Sequence, residues 1–115
     1  MPKVEELERC YIGIATGDQA KVHFFNGSAL EPIEALRAYP CDIGWSYGAQ
    51  KTNTGLSILT DYFGRTENLN SSAEALAQAF TDQFISTLRE NEILFIEEFR
   101  IEDWLRVMRM LGEAA

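Results

Sequence analysis

Residues 44–63 are where the chain changes character, and that change limits what it can fold into. Gly44-Trp45-Ser46-Tyr47-Gly48 sets two large aromatics among small residues, and Ala49-Gln50-Lys51-Thr52-Asn53-Thr54-Gly55 follows as a polar run. Leu56, Leu59, Tyr62 and Phe63 then recur at helical spacing. Segments before this stretch read as strands and segments after it as helices, so both halves are expected to pack on it. Strand patterns followed by helix patterns in one short chain define the α+β class.

In the N-terminal half, Arg9-Cys10-Tyr11-Ile12-Gly13-Ile14-Ala15 is rich in β-branched and aromatic residues and runs into the turn signal Thr16-Gly17-Asp18. Ala20-Lys21-Val22-His23-Phe24-Phe25 supplies the partner strand, and Asn26-Gly27 ends it with a pair suited to positive φ. An antiparallel hairpin is expected. Residues 29–40 admit two readings: a short helix with Pro32 at its first position and Pro40 ending it, or an irregular crossing. Residues 43–47 are expected to form a third strand, with Gly44 allowing a close backbone approach or a bulge and with Trp45 and Tyr47 on one face.

The first helix is expected from about Asn53, where Thr52, Asn53 and Thr54 can all cap, to Gly64 in the left-handed conformation. Ser71-Ser72-Ala73-Glu74 reads as a capping box for a second helix, whose stripe Ala73, Leu76, Ala77, Phe80, Phe84 and Leu88 runs to about Arg89. Ile93-Leu94-Phe95-Ile96 is a short apolar run suited to a buried strand. A last helix starting near Glu97 or Glu98 buries Ile101, Trp104, Leu105, Met108 and Leu111. The expected fold is α+β: a small antiparallel sheet of three to four strands packed against two or three α-helices, in a single domain spanning residues 1–115.

Charge narrows the partners. Ten basic residues stand against eighteen acidic ones, for a net charge of −8. Binding phosphate backbones requires the opposite balance, so direct nucleic-acid binding is not expected, and an anionic membrane surface is disfavoured for the same reason. No run of about 18 apolar residues is present and the first residues are acidic, so neither a membrane span nor a signal peptide is expected and the cytoplasm is the anticipated compartment. Cys10 and Cys41 then read as two reduced, partly buried thiols. Two cysteines and the single histidine cannot close a tetrahedral zinc site without carboxylates, so neither metal nor cofactor is expected.

No catalytic residue emerges. Lys51-Thr52 before a helix suggests a phosphate loop, but Gln50 occupies the place where that loop needs a glycine before its lysine. His23 has no nucleophile or orienting group beside it in sequence, and Asp61 and Asp82 are expected to face solvent from their helices. Two candidate binding sites remain. Glu90, Glu92, Glu97, Glu98, Glu102 and Asp103 face a single base, Arg100, in that interval, and form a candidate acidic patch for a basic partner. Trp45, Tyr47, Gln50, Lys51 and Asn53 form a candidate ligand loop beside the first helix. Val107 and Met110 fall off the last helix's main stripe and leave room for a homodimer.

The order Tyr11-Ile12-Gly13, then Trp45-Ser46-Tyr47-Gly48 leading into Leu56-Ser57-Ile58-Leu59-Thr60-Asp61-Tyr62, then Phe80 to Phe84, then Ile101-Glu102-Asp103-Trp104-Leu105, resembles a small family of unknown function found in bacteria and in phages or other mobile elements. Ala49-Gln50-Lys51-Thr52 stands where that family has Gly-Ser-Gly-Pro, so that loop's role is not carried over. The resemblance implies an architecture and a mobile-element context, and no catalytic residues. Three functions are expected from these observations. The first is a small acidic non-catalytic interaction protein that inhibits a host defence complex, in the manner of an anti-CRISPR protein, by offering its acids to a basic nucleic-acid-binding groove. The second is a small-molecule-binding domain using the Trp45–Asn53 loop. The third is an enzyme, which would need carboxylates converging in a cleft.

Overall fold

A computed structural model describes residues 8–16, 19–66 and 72–112. The chain is α+β, with a four-stranded antiparallel sheet and three helices in the order β1 (Cys10–Thr16), β2 (Gln19–Phe25), β3 (Leu30–Pro32), α1 (Gly48–Thr66), α2 (Ala73–Phe84), β4 (Leu94–Glu97) and α3 (Glu98–Met110). Across the sheet the strands run β3-β2-β1-β4. β1 and β2 form the expected hairpin, with Cys10 opposite Phe25 and Thr16 opposite Gln19. Gly17 and Asp18 of the expected turn lie outside the described residues. Gly27 takes φ +101°, and Asn26 Oδ1 accepts from the amides of Ser28 and Ala29, which turns the chain into β3. The strand expected at 93–96 is set one position later and is not a buried one: β4 pairs with β1 at the sheet edge, Tyr11 opposite Ile96, with Leu94 and Ile96 buried and Ile93 and Phe95 exposed.

In the middle of the chain one open alternative is settled, in favour of the irregular crossing, and three expectations are corrected. Pro32 does not start a helix: it ends β3, an edge strand that tolerates a residue without an N–H. Residues 33–47 are then an irregular crossing, and residues 43–47 form no strand, so Trp45 and Tyr47 share no strand face. Trp45 is buried while Tyr47 is half exposed. The run from Gly48 to Gly55 is no loop: α1 begins at Gly48, and it continues through Gly64 to Thr66.

The reason is a polar seam. Asn53, Thr54 and Ser57 lie on one side of α1, buried yet fully hydrogen-bonded. Asn53 Oδ1 accepts from the amides of Ala38 and Tyr39 at 2.8 and 3.0 Å, and Nδ2 donates to the carbonyls of Tyr39 and Cys41. Leu36 N donates to Ser57 Oγ at 2.7 Å, and Gly44 N to Thr54 Oγ1 at 2.8 Å. Side chains of a helix thus satisfy backbone that a strand ladder would otherwise have to serve.

In the second half, the cap of α2 is Ser72, whose hydroxyl accepts from Ala75 N at 3.2 Å. The Ser71–Glu74 capping box is therefore not the device at this end, and Ser71 itself lies outside the described residues. The helix stops at Phe84, short of Arg89, because the chain turns inward to bury Ile85 completely. α3 starts at Glu98 as expected and buries Ile101 and Leu105, but Leu111 is 69% exposed, just past its end.

One core joins both halves: Tyr11, Val22, Phe24, Leu94 and Ile96 from the sheet meet Trp45, Ile58, Leu59, Phe80 and Ile101. Each such side chain contributes about 1.5–3 kcal/mol on burial. Trp104 closes the α2–α3 contact edge-on to Phe80 and Phe84, with ring centroids 5.5 and 6.0 Å apart.

Candidate functional site

Four of the five residues of the candidate ligand loop are turned inward or tied down. The Trp45 indole N–H donates to the Glu92 carbonyl at 2.9 Å, and its ring occupies the space above Gly13. Gln50 Oε1 accepts from Ser46 N at 3.1 Å, which caps the start of α1, and it lies so near Gly44 that a Cβ there would stand 2.8 Å from it. The close approach at Gly44 is therefore by a side chain and outside any strand, not the backbone approach or bulge expected there. Lys51 Nζ donates to the Ser86 carbonyl at 2.7 Å, linking α1 to the turn behind α2. Asn53 belongs to the polar seam. Tyr47 remains half exposed, its phenol pushed up first by a hydrogen bond with the Cys41 side chain and then by desolvation.

The six acids of the candidate patch have different duties. Glu98 is mostly enclosed and forms a two-pronged ion pair with Arg9, at 2.9 Å from Nε and 3.3 Å from Nη2. Glu97 closes β4 opposite Cys10. Glu92 accepts from the Arg89 amide at 2.9 Å in the turn before β4. Asp103 pairs with Arg106 at 3.3 Å, both largely exposed, a geometry worth well under 1 kcal/mol. Glu90 and Glu102 are exposed and make no ion pair among the described residues.

Asp61 is a correction. Rather than facing solvent, its Oδ2 accepts from the Tyr11 hydroxyl at 2.8 Å and from Arg65 Nε, one turn along α1. Arg65 also reaches Glu31 at 3.2 Å, and its guanidinium lies 4.2 Å from the centre of the Phe24 ring. Burial, then the Asp61 charge and hydrogen bond, drive the Tyr11 phenol far up, so it stays protonated. The Asn26 side chain, ahead of Arg65, holds the Glu31 carboxyl below its ordinary value. The Asp61–Arg65 spacing was the signal available in sequence; nothing local announced Tyr11 fifty positions away.

Two of the clefts that α1 lines concern this network and the crossing. One of about 360 Å³ lies beside this network, lined by Glu34, Ser57, Thr60, Asp61 and Arg65. The other, of about 430 Å³, lies between the crossing, α1 and α2, where Arg37, Tyr39, Thr52, Leu56, Glu74 and Gln78 meet. None of the expected ligand-loop residues lines the second cleft.

Both cysteines are unbridged. Desolvation and then the Glu97 charge push the Cys10 thiol up, which makes it a poor nucleophile. His23 sits on β2 opposite Ile12 and Pro32, half buried. Val107 and Met110 are exposed as expected, at 52% and 80%. Among the described residues, no group of three or more His, Cys, Asp or Glu is placed to hold a metal ion, and no helix is long and apolar enough to cross a membrane. The chain matches no family model, no curated protein and no solved structure.

Proposed function

We propose that this chain is a non-catalytic interaction protein that presents exposed carboxylates to a basic, nucleic-acid-binding surface of a host complex. The observation that carries the reading is a contrast in how polar groups are used. Four of the five ligand-loop residues have their polar atoms consumed by internal hydrogen bonds. Glu90 and Glu102 instead stand exposed with no ion pair among the described residues, and Glu92 and Asp103 are exposed while holding one local contact each, on a chain of net charge −8. Glu98, held by Arg9, contributes mainly to the anchoring of α3. A field of this sign repels nucleic acid and attracts the surfaces that bind it. The likeness of the sequence to a phage and mobile-element family directs the proposal to a host defence complex as the partner.

Affinity capture of the tagged chain from host lysate, at low and at high salt, tests the reading. A basic nucleic-acid-handling protein retained at low salt, released at high salt and displaced by added nucleic acid supports it. Recovery of the chain alone at both salt concentrations contradicts it.

A second reading, small-molecule binding, rests on the cleft of about 430 Å³ beside α1, where Tyr39 and Leu56 offer apolar surface and Arg37 and Glu74 offer charge. A metabolite panel that raises the melting temperature, with the rise abolished by Leu56→Gln, would favour it over the first.

A further inference from the structure

A sheet in the order β3-β2-β1-β4 has two edges, and here the two are unlike. β3 is three residues long and ends at Pro32, which has no N–H to offer a further strand. β4 contains no proline, and Leu94-Phe95-Ile96-Glu97 follows directly on Ile93. Among the described residues no strand lies beyond it.

The register fixes which backbone groups of β4 face outward. Glu98 N donates to Arg9 O at 3.0 Å, so Arg9 and Glu98 form a hydrogen-bonded pair. Such pairs alternate along an antiparallel ladder, which makes Tyr11–Ile96 and Gly13–Leu94 the next two. Phe95 and Glu97, opposite Ile12 and Cys10, belong to the other set. Their N–H groups and the Phe95 carbonyl therefore point away from β1, and Ile93 continues the same parity. Side chains alternate too: Leu94 and Ile96 enter the core, while Ile93 and Phe95 are 64% and 44% exposed.

An edge with free backbone groups and apolar side chains is a template for one more strand. The charges around it show what kind. Glu90 and Glu92 stand exposed in the turn before β4, and Glu97, half-buried, closes it. Of the bases in this part of the chain, Arg9 is held by Glu98 and Arg100 lies against the Phe84 ring, which leaves Arg89 against those three acids. Acids thus stand at both ends of the edge, with apolar residues between them.

A second copy of the chain fits this edge poorly. Glu92 and Glu98 lie equally far from Phe95, so a two-fold through Phe95 sets Glu92 level with the copy's Glu98 and beside its Glu97. Like charges then face each other at both ends, which destabilises a strand pair. An extended segment with basic residues at its ends and apolar ones between them meets every feature of the edge. Ile93 and β4 together span about 17 Å at about 3.4 Å per residue, room for a segment of about five to seven residues.

We propose that β4 is the docking edge of the molecule, to which an extended basic segment of the partner adds antiparallel as a fifth strand, hydrogen-bonded through Ile93, Phe95 and the Glu97 N–H. The proposal rests on the reading of the chain as an acid-presenting interaction protein and names the means of contact. Backbone pairing supplies the hold, and Glu90, Glu92 and Glu97 select for lysine or arginine.

The probe is a fluorescein-labelled peptide, Lys-Thr-Val-Thr-Val-Thr-Lys, titrated with the full chain and followed by fluorescence anisotropy. Its lysines and valines fall on one strand face. With the valines opposite Phe95 and Ile93, the lysines reach Glu97 at one end and the Glu90–Glu92 turn at the other. The valine amides then face β4 and the threonine amides face solvent. We expect saturable binding that N-methylation of both valines weakens about tenfold or more, while N-methylation of the threonines changes it less than about twofold. Phe95→Pro, whose lost N–H faces outward, should weaken the parent peptide as much, with circular dichroism as the control for folding.

Binding indifferent to valine methylation overturns the edge and leaves adsorption to the acids, so the acidic-surface reading would stand without it. Absence of saturable binding at millimolar peptide overturns it too, as does a dimer of the chain that Phe95→Pro abolishes. Lysate capture separates the two ideas. A basic protein retained equally by the wild type and Phe95→Pro sinks the edge alone, and no basic protein on either chain sinks the acidic-surface reading.

Discussion

Asn53 and Tyr39 exchange two hydrogen bonds: the side-chain oxygen accepts from Tyr39 N at 3.0 Å, and the side-chain nitrogen donates to Tyr39 O at 3.2 Å. A helix side chain thereby pairs with backbone as a neighbouring strand would. The same carboxamide also serves Ala38 N and Cys41 O, so one residue holds four backbone groups of the crossing. That arrangement decides where α1 begins and how Trp45 reaches the core.

Replacing Asn53 by Ala strands those four groups at a fully buried position. We expect a loss of about 3 kcal/mol, measured as the shift in the urea midpoint. Asn53→Asp keeps the shape but aims an acceptor at two carbonyls. Its carboxyl is then neutral more readily in the folded state than in the unfolded one, so its deficit relative to wild type should widen as pH rises through the carboxylate range. A deficit that does not change with pH would contradict the assigned orientation of the amide.

Gly55 is the place where α1 and α2 touch. A Cβ there would run into Thr81 Oγ1 and lie 3.4 Å from the Ala77 carbonyl. Alanine normally favours a helix by about 1 kcal/mol over glycine. At this contact we expect Gly55→Ala to destabilise instead, by about 1–2 kcal/mol net. Thr81→Ala removes the obstructing hydroxyl, whose own bond goes to a carbonyl within its helix. The double variant should therefore be more stable than Gly55→Ala alone. If Gly55→Ala proves stabilising by itself, the helices are further apart than described.

The strand-and-helix order was legible because it rests on local pattern: alternation in residues 10–15 and 20–25, and three-four spacing in residues 76–80 and 101–108. What failed depends on distant partners. Residues 43–47 have a strand composition, but the backbone of Gly44 is served by the Thr54 side chain from a helix rather than by a strand. The polar run 49–55 looks like a loop until its side chains are seen to face a crossing that needs them. Leu88 continues a helical stripe on paper, yet burying Ile85 is worth more than another turn. The acids were visible as a cluster; that Glu98 belongs to Arg9 was not, since 89 positions separate them.

High pH should expose the sheet–helix contact. Desolvation, then the charges of Glu102 and Glu98, raise the Tyr62 phenol to about 12 from its ordinary 10.0. Tyr11 is raised further. Below the ordinary value both states hold the protons and stability does not depend on these groups. Above it the unfolded chain gives up protons that the folded chain keeps, so stability falls as pH rises. We expect the urea midpoint to drop between about pH 10 and about pH 12, and Tyr62→Phe to flatten that drop. Phenolate absorbance should appear only with unfolding for these two residues.

The most direct measurement of the acidic-surface account is a side-by-side capture of the wild type and Glu102→Lys/Asp103→Lys from the same host lysate, across a salt series. Both positions are exposed, so the variant's unfolding curve should match the wild type within about 0.5 kcal/mol. We expect the wild type to retain a basic nucleic-acid-handling protein at low salt and the variant to lose it. Retention of the same protein by both chains, with the same salt dependence, would contradict the account.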